Sequence, residues 1–499
     1  MMLDGDLQGI QEARNALKEA KQAQKLLEKM TQSQIDEIVS RMAITAEKEA
    51  ERLGTLAVEE TGFGVPADKK AKNLFVAHDV YQAIRNMRTV GIVRKDEQKR
   101  VWEIVQPMGV VAAIIPSTNP TSTVLFKCMI ALKARNAIVI SPHPSALRCS
   151  LEAANAMRDA AEHAGAPLGL IHCLTRPSLE ATQELMRHKL TDVILATGGT
   201  AMVKAAYSSG KPAYGVGPGN VPVYIHRSAD LRQAVARIVQ SKTFDNGTIC
   251  ASEQALVVDE PIKRELMGEL ERQGAYFLNE RDNEKVGAIL MAGKGMNPKV
   301  VGKSPRAIAE LAGIEIQDHV RVLIAEESLV GPEHPYSNEK LCPVLALYTV
   351  RDWQEGCRLC IELLEQGGMG HTLGIHCEDL EIIEAFGLEK PASRIVVNSG
   401  TTFGGIGATT GIFPSMTLGC GSFGSNITSD NIGPQHLLNV KRVAFGIREM
   451  PEPDDQPPLA QKAEERVVAT LGDIYGKGGI TREEVTKIVK QVLAEMQPQ

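Results

Sequence analysis

From about residue 10 to residue 85 the apolar positions recur at helical spacing. Ala13, Ala16, Leu17, Ala20, Ala23 and Leu27 fall on one face, as do Ile35, Ile38, Val39 and Met42, and this period predicts helices over most of the stretch. The pattern then changes. In "GIVRKDEQKRVWEIVQP" (Gly91 to Pro107) two β-prone runs flank a charged turn, which predicts a hairpin. From about residue 108 short apolar runs take over: "GVVAAIIP", "NAIVISP", "DVILATGG", "VPVYIH" and "EQALVVD". A second series follows: "VRVLIAEE", "CPVLALYTV", "TLGIHCED" and "SRIVVNSG". Several are bounded by Gly or Pro, and helical stretches lie between some of them. That pattern predicts buried, mostly parallel sheets flanked by helices. The fold class expected is α/β in two lobes, with the boundary close to "DNGTIC" (Asp245 to Cys250).

The end of the chain has another character. "MPEPDDQPPLA" (Met450 to Ala460) is acidic and proline-rich and reads as an extended linker. Beyond it, Val485, Ile488, Val489, Val492, Leu493 and Met496 share one helical face. Thr481 and Glu484 have capping-box spacing and fix where that helix starts. So short a helix is marginal alone in water. Its apolar stripe therefore needs a partner: its own body, a sister subunit, or another protein for which it is a tethered recognition helix.

Composition narrows the classes of function. At 499 residues the chain exceeds one ordinary core. Its charge is 55 − 61 = −6, without a long basic run, so no nucleic-acid partner is expected. The longest apolar runs are far too short for a membrane span. The acidic start "MMLDGDLQGI" lacks an apolar signal core, so secretion is not expected. Nine cysteines without a framework read as reduced thiols. Cys357 and Cys360 have CxxC spacing, but within "WQEGCRLCIELLEQGG" they fall one turn apart on the buried side of a helix. No second CxxC completes a zinc set, and no metal site is expected.

Three glycine clusters bear on ligand binding. "GGIGATTG" (Gly404 to Gly411) is followed by Pro414 and further glycines rather than by a helix. It therefore reads as a loop near a ligand and not as a dinucleotide fingerprint. "GVGPGN" (Gly215 to Asn220) reads as a turn into a strand. "ATGGTAMVKAAYSSG" has the order strand, Gly198-Gly199, helix, which suits phosphate binding at a helix N-terminus. Cys250, just after the turn-forming Asn246-Gly247, is a core residue, a ligand or a nucleophile; its own neighbours in sequence do not decide.

Taken together, "QPMGVVAAIIPSTNP", "TGG" before a helix, Cys250 and "NEKLCPV" resemble the aldehyde dehydrogenase superfamily, in its order, over roughly residues 10 to 448. The resemblance implies two Rossmann-like lobes with a β-hairpin oligomerisation arm. Residues 1–245 would form a cofactor-binding domain interrupted by the 91–107 hairpin, and 246–426 a catalytic domain. Residues 427–449 would return to the arm, 450–480 would be linker with a possible short helix, and 481–499 a terminal helix. It implies Cys250 as nucleophile, Asn119 as oxyanion donor and Glu339 as the group that orients the nicotinamide ribose. It also implies NAD contacts from Pro116, Ser141, Pro142, His143, Thr197, Gly198, Gly199, Gly215, Gly217 and Pro343. NAD is favoured over NADP because no arginine follows "NAIVIS" to take a 2′-phosphate.

One departure from the family pattern redirects the chemistry. Hydrolytic members carry a water-activating glutamate where Gly215 stands here. A cysteine thioester without such a base reacts slowly with water but exchanges readily with a thiol. "YGVGPGNVPVYI", "DNGTICASEQALVV", "GHTLGIH" and "FPSMTLGCGSFGSNITSDNIGPQHLLN" accordingly resemble the CoA-acylating branch, with coenzyme A as acyl acceptor. His371 is either a proton carrier for the CoA thiol or a histidine that hydrogen-bonds a loop. Cys420 reads as a small packed residue in a glycine loop rather than a second nucleophile. The tail resembles the encapsulation peptides of bacterial microcompartments. That implies a cytoplasmic enzyme inside a protein shell, docked to the shell or to co-encapsulated enzymes. A homodimer or homotetramer is expected, with the hairpin and "VKRVAFGI" pairing across subunits. Short-chain aldehydes are the expected substrates, propionaldehyde before acetaldehyde. The rivals are a hydrolytic aldehyde dehydrogenase and a non-catalytic shell scaffold.

Overall fold

The computed structural model of the chain describes residues 4–293, 295–450 and 481–495. They fall into two units, 1–94 with 103–441, and 95–102 with 442–499. The helices Gly5–Leu27 and Gln32–Thr61 bury the two apolar faces expected of them. Thr31 and Gln34 close a capping box at the start of the second, and Gly62, at φ 68°, ends it in the left-handed conformation that glycine adopts without a Cβ clash.

Two parallel sheets organise the first unit. The first has the order β5-β4-β3-β6-β7, from Ile171–Cys173 (β5), Ala137–Ser141 (β4), Val110–Ile114 (β3), Val193–Thr197 (β6) and Ala213–Val216 (β7). The chain leaves the central β3 toward one edge and returns to the other, which places a crevice outside the carboxyl ends of β3 and β6. The helix Pro120–Lys133 is buried along its whole length. From it Lys127 donates to the carbonyls of Ile114 and Leu195 at 2.8 and 2.9 Å, tying the end of β3 to the middle of β6. Burial without a carboxylate partner lowers that lysine's pKa to about 7.

The second sheet has the order β10-β13-β14-β9-β8-β15-β16. Its strands are Val221–Ile225 (β8), Glu253–Asp259 (β9), Ala275–Phe277 (β10), Val322–Glu326 (β13), Val344–Val350 (β14), Gly370–His376 (β15) and Ala392–Val397 (β16). Because β8 pairs with β9 and β15, the sheets divide between Val216 and Val221. That precedes the boundary expected near residue 245. A two-stranded ribbon joins Met291–Ala292 (β11) to Gly295–Met296 (β12). "GGIGATTG" also differs from expectation: a short helix, Thr401–Ile406, runs into it and ends at Gly407, φ 87°.

The hairpin strands Gly91–Asp96 (β1) and Val101–Pro107 (β2) form a three-stranded sheet with Leu438–Ala444 (β17). The pairing expected between subunits is thus made within one chain. In the second unit Trp102 packs edge-on against Phe445 with centroids 5.2 Å apart, and Lys95 lies 4.4 Å over the Trp102 ring. This unit also holds the helix Arg482–Glu495, where Thr481 Oγ1 and Glu484 make the expected capping box. The linker expected at 450–480 lies, beyond its first residue, outside the described residues. Among the described residues no helix is long and apolar enough to cross a membrane.

Candidate active site

The loop before β9 is built on an uncommon backbone. After the helix Leu231–Thr243 the chain passes through Asp245 and Asn246, at φ 51° and 50°, and then Gly247 at φ 73°. Asp and Asn tolerate this region better than other side chains, yet it still requires support. Asp245 supplies the support by being a buried anchor. Its carboxylate accepts from Lys69 Nζ at 2.7 Å, Val65 N at 2.8 Å and Thr248 Oγ1 at 2.5 Å, and from Lys72 Nζ. Its own N–H donates to Asp68 at 2.7 Å. The loop so held delivers Cys250 just ahead of β9.

Cys250 is a partly exposed free thiol. Burial of the sulfur, then the negative charge of Glu339 and the neighbouring Cys420, push its pKa up to about 12. The Arg394 guanidinium and the residue's own backbone N–H act in the opposite direction. Asn119 faces the same loop from the start of the helix Pro120–Lys133. Its Nδ2 donates to Thr248 O at 3.1 Å and Thr118 Oγ1 at 3.2 Å, while Lys72 Nζ donates to its Oδ1 at 2.6 Å. Glu339, before β14, accepts from Gly219 N at 3.0 Å. Burial raises its pKa to about 7, against the pull of Lys242 and Lys340.

These three groups open on one cavity of about 470 Å³ between the carboxyl edge of the first sheet and the amino edge of the second. Pro116, Ser141, Pro142, His143, Thr197, Gly198, Gly199 and Gly217 line it together with Asn119, Cys250 and Glu339. A dinucleotide fits this wall. Gly199 caps the helix Thr200–Tyr207, and a Cβ on Gly199 or Gly217 would meet open space. Thr197 Oγ1 is buried with no hydrogen-bond partner among the described residues, so it is available to a ligand.

Three expected contacts are absent from the wall. Gly215 lies within β7, not in a turn, and its N–H donates to Tyr207 Oη at 2.9 Å. A Cβ there would come within 2.7 Å of Val203 and 3.0 Å of the Tyr207 ring. Pro343 is drawn into the ladder beside β13, where its carbonyl accepts from Leu323 N at 3.0 Å. His371 is fully buried, with Nδ1 3.0 Å from Thr372 Oγ1, and its ring lies against Gly219. Burial and the nearby Arg394 lower its pKa to about 3, so it is neutral at physiological pH. His371 thus stands in β15, its Nδ1 on the next residue of the same strand and its Nε2 buried without a hydrogen-bond partner among the described residues.

The sequence reading missed Lys69, Lys72, Thr248 and Arg394, whose roles arise from packing across the fold. Arg394 donates to the carbonyls of His371 and Ser429 at 2.9 and 3.2 Å and to Asn431 Oδ1 at 3.2 Å. Only the turn-forming Asn246-Gly247 gave a local sign of a constrained loop.

The aldehyde dehydrogenase family model matches residues 6–292. An aldehyde-alcohol dehydrogenase of Clostridium acetobutylicum is 43% identical over 440 residues, 87% of this chain and 51% of that protein. The chain thus spans about half the length of that relative. The crystal structure of an acetylating aldehyde dehydrogenase from Geobacillus thermoglucosidasius is 65% identical, covering 90% of this chain and 100% of that one with a TM-score of 0.90. A propionaldehyde dehydrogenase from the fucose utilisation microcompartment of Clostridium phytofermentans is 28% identical, covering 87% and 97% with a TM-score of 0.79. On its two parallel sheets, its cysteine–asparagine–glutamate cavity and these matches, the chain belongs to the aldehyde dehydrogenase family.

Proposed function

We propose that the chain catalyses the NAD-dependent, CoA-acylating oxidation of short-chain aldehydes: aldehyde, NAD and CoA give acyl-CoA, NADH and a proton. The observation that carries this reading is the packing at Gly215. The place of the hydrolytic branch's water-activating carboxylate is a glycine, and Val203 and Tyr207 fill the volume a side chain would need.

The Cys250 thiolate attacks the aldehyde carbonyl and forms a thiohemiacetal. Asn119 Nδ2 and the Cys250 N–H are the donors for its oxyanion; one such donor is worth about 100- to 1,000-fold in rate. Bound NAD supplies the hydride acceptor. Glu339, Thr197 and the Gly198-Gly199 turn hold the dinucleotide, with Pro116, Ser141, Pro142, His143 and Gly217 along its path. The cysteine thioester that results then exchanges with the CoA thiol, which frees Cys250. His371, neutral and buried in β15 against Gly219, serves this site by packing rather than as a proton carrier. Propionaldehyde is the first substrate and acetaldehyde the second, in keeping with the microcompartment relative. The amphipathic tail directs the enzyme, a homodimer or homotetramer, into such a compartment by docking to the shell or to co-encapsulated enzymes.

A hydrolytic reading has one observation in its favour. Glu339, the single carboxylate among the described cavity-lining residues, has a pKa near 7 and so the basicity of a water activator. The test is NADH formation from propionaldehyde and NAD, with and without CoA, with the product identified. Turnover that depends on CoA and yields propionyl-CoA is expected. Equal turnover without CoA, yielding propionate, overturns the acylating reading, and loss of that turnover in Glu339→Gln with NAD affinity unchanged would name the base.

A further inference from the structure

We propose that Lys72 is a positioning residue that locks the Asn119 side-chain amide with its NH₂ group on the side of the nucleophile loop, where Nδ2 donates to Thr248 O. The inference rests on the reading of Asn119 as oxyanion donor and goes beyond it. An asparagine amide has two faces of nearly equal shape, an acceptor and a donor, and a free amide can present either. At Asn119 the choice is made from behind. Lys72 Nζ, a group with donors and no acceptor in its charged form, sits 2.6 Å from Oδ1. An amide turned the other way would aim N–H at N–H there.

The lysine is itself held. It comes from the helix Pro66–Phe75, is 2% exposed, and contacts the Asp245 carboxylate and, at 3.1 Å, Thr248 Oγ1. Thr248 O in turn accepts from Asn119 Nδ2 at 3.1 Å. One network therefore joins the anchor of the nucleophile loop, the lysine and the oxyanion donor. Lys69 divides the possible roles of the cluster. It also pairs with Asp245, at 2.7 Å, but reaches the backbone carbonyl of Thr118 instead of the Asn119 amide. Either lysine neutralises the buried carboxylate; only Lys72 orients the amide.

The test is a double-mutant cycle on the single-turnover rate of NADH formation from propionaldehyde, with NAD affinity measured alongside. Asn119→Ala is expected to slow that step about 100- to 1,000-fold. Lys72→Met is expected to slow it about 10- to 100-fold with NAD affinity unchanged, and to have under about threefold effect once Asn119 is alanine. Lys69→Met removes an equal charge from Asp245 but leaves Oδ1 of Asn119 held, so any loss it causes should be the same on both Asn119 backgrounds. Equal losses in Lys72→Met on both backgrounds, or the same coupling to Asn119 in Lys69→Met, would mean that the lysine only supports the loop. An Asn119→Ala variant of undiminished rate overturns the oxyanion reading and this proposal together. Should Lys72→Met not fold, Lys72→Gln keeps a donor for Oδ1 without the charge. A rate close to that of the parent, or a loss that vanishes once Asn119 is alanine, supports the proposal, and an equal loss on both backgrounds overturns it.

Discussion

Cys250 shows how far a residue's chemistry depends on neighbours remote in sequence. Its thiol is shifted from an ordinary value of 9.0 to about 12, by burial first and by Glu339 second. In the free protein the thiolate fraction should therefore grow about tenfold per pH unit through neutrality and well past pH 9, because every point lies below the folded pKa. Alkylation by iodoacetamide, followed against pH, should rise without levelling over that range. Glu339→Gln removes a like charge, so it lowers the Cys250 pKa and should speed alkylation at pH 9 by about three- to tenfold. A plateau near pH 8, or slower alkylation in Glu339→Gln, would contradict the arrangement described. The residue's identity as a candidate was legible from "DNGTIC" within its family pattern. Its environment was not, since Glu339, Arg394 and Cys420 reach it only through the second sheet and its loops.

At the scale of elements, legibility followed length and period. The long N-terminal helices, with their repeating apolar stripes, were readable, and so were strands that stand as unbroken apolar runs. Ile171–Cys173, Ala213–Val216 and Ala275–Phe277 were not, because three or four residues are too few to show a period. Missing Ala213–Val216 also misplaced Gly215, which belongs to a strand packed against the helix Thr200–Tyr207. That packing makes a prediction. Gly215→Glu should not create a hydrolase; it should destabilise the fold by about 1–3 kcal/mol through overpacking against Val203 and Tyr207. Denaturant unfolding measures this. Adding Tyr207→Ala should recover part of the loss, since it vacates the contested volume. A fully stable Gly215→Glu single variant would show that the space is open after all.

Across the whole molecule, the site exists because two sheets meet with opposite ends. The first offers the carboxyl ends of β3, β4, β6 and β7, and the second the amino ends of β9 and β14, so residues from 114 to 341 line one cavity. The tail is the remaining whole-chain element, and its proposed role is addressable apart from catalysis. Residues 450–499 fused to a fluorescent protein should concentrate in co-expressed microcompartment shells; diffuse fluorescence would remove the encapsulation proposal. By itself the sequence determined the α/β class, the capped terminal helix and the cysteine, asparagine and glutamate of the site. Each of these is written in local period, cap spacing or family motif. Tertiary structure alone decided where the sheets divide, that His371 is buried and neutral within β15, that Gly215 is walled in by Tyr207, and that Lys72 stands behind Asn119. These facts depend on which side chains meet across the fold, and on the low-dielectric burial that then sets their charge.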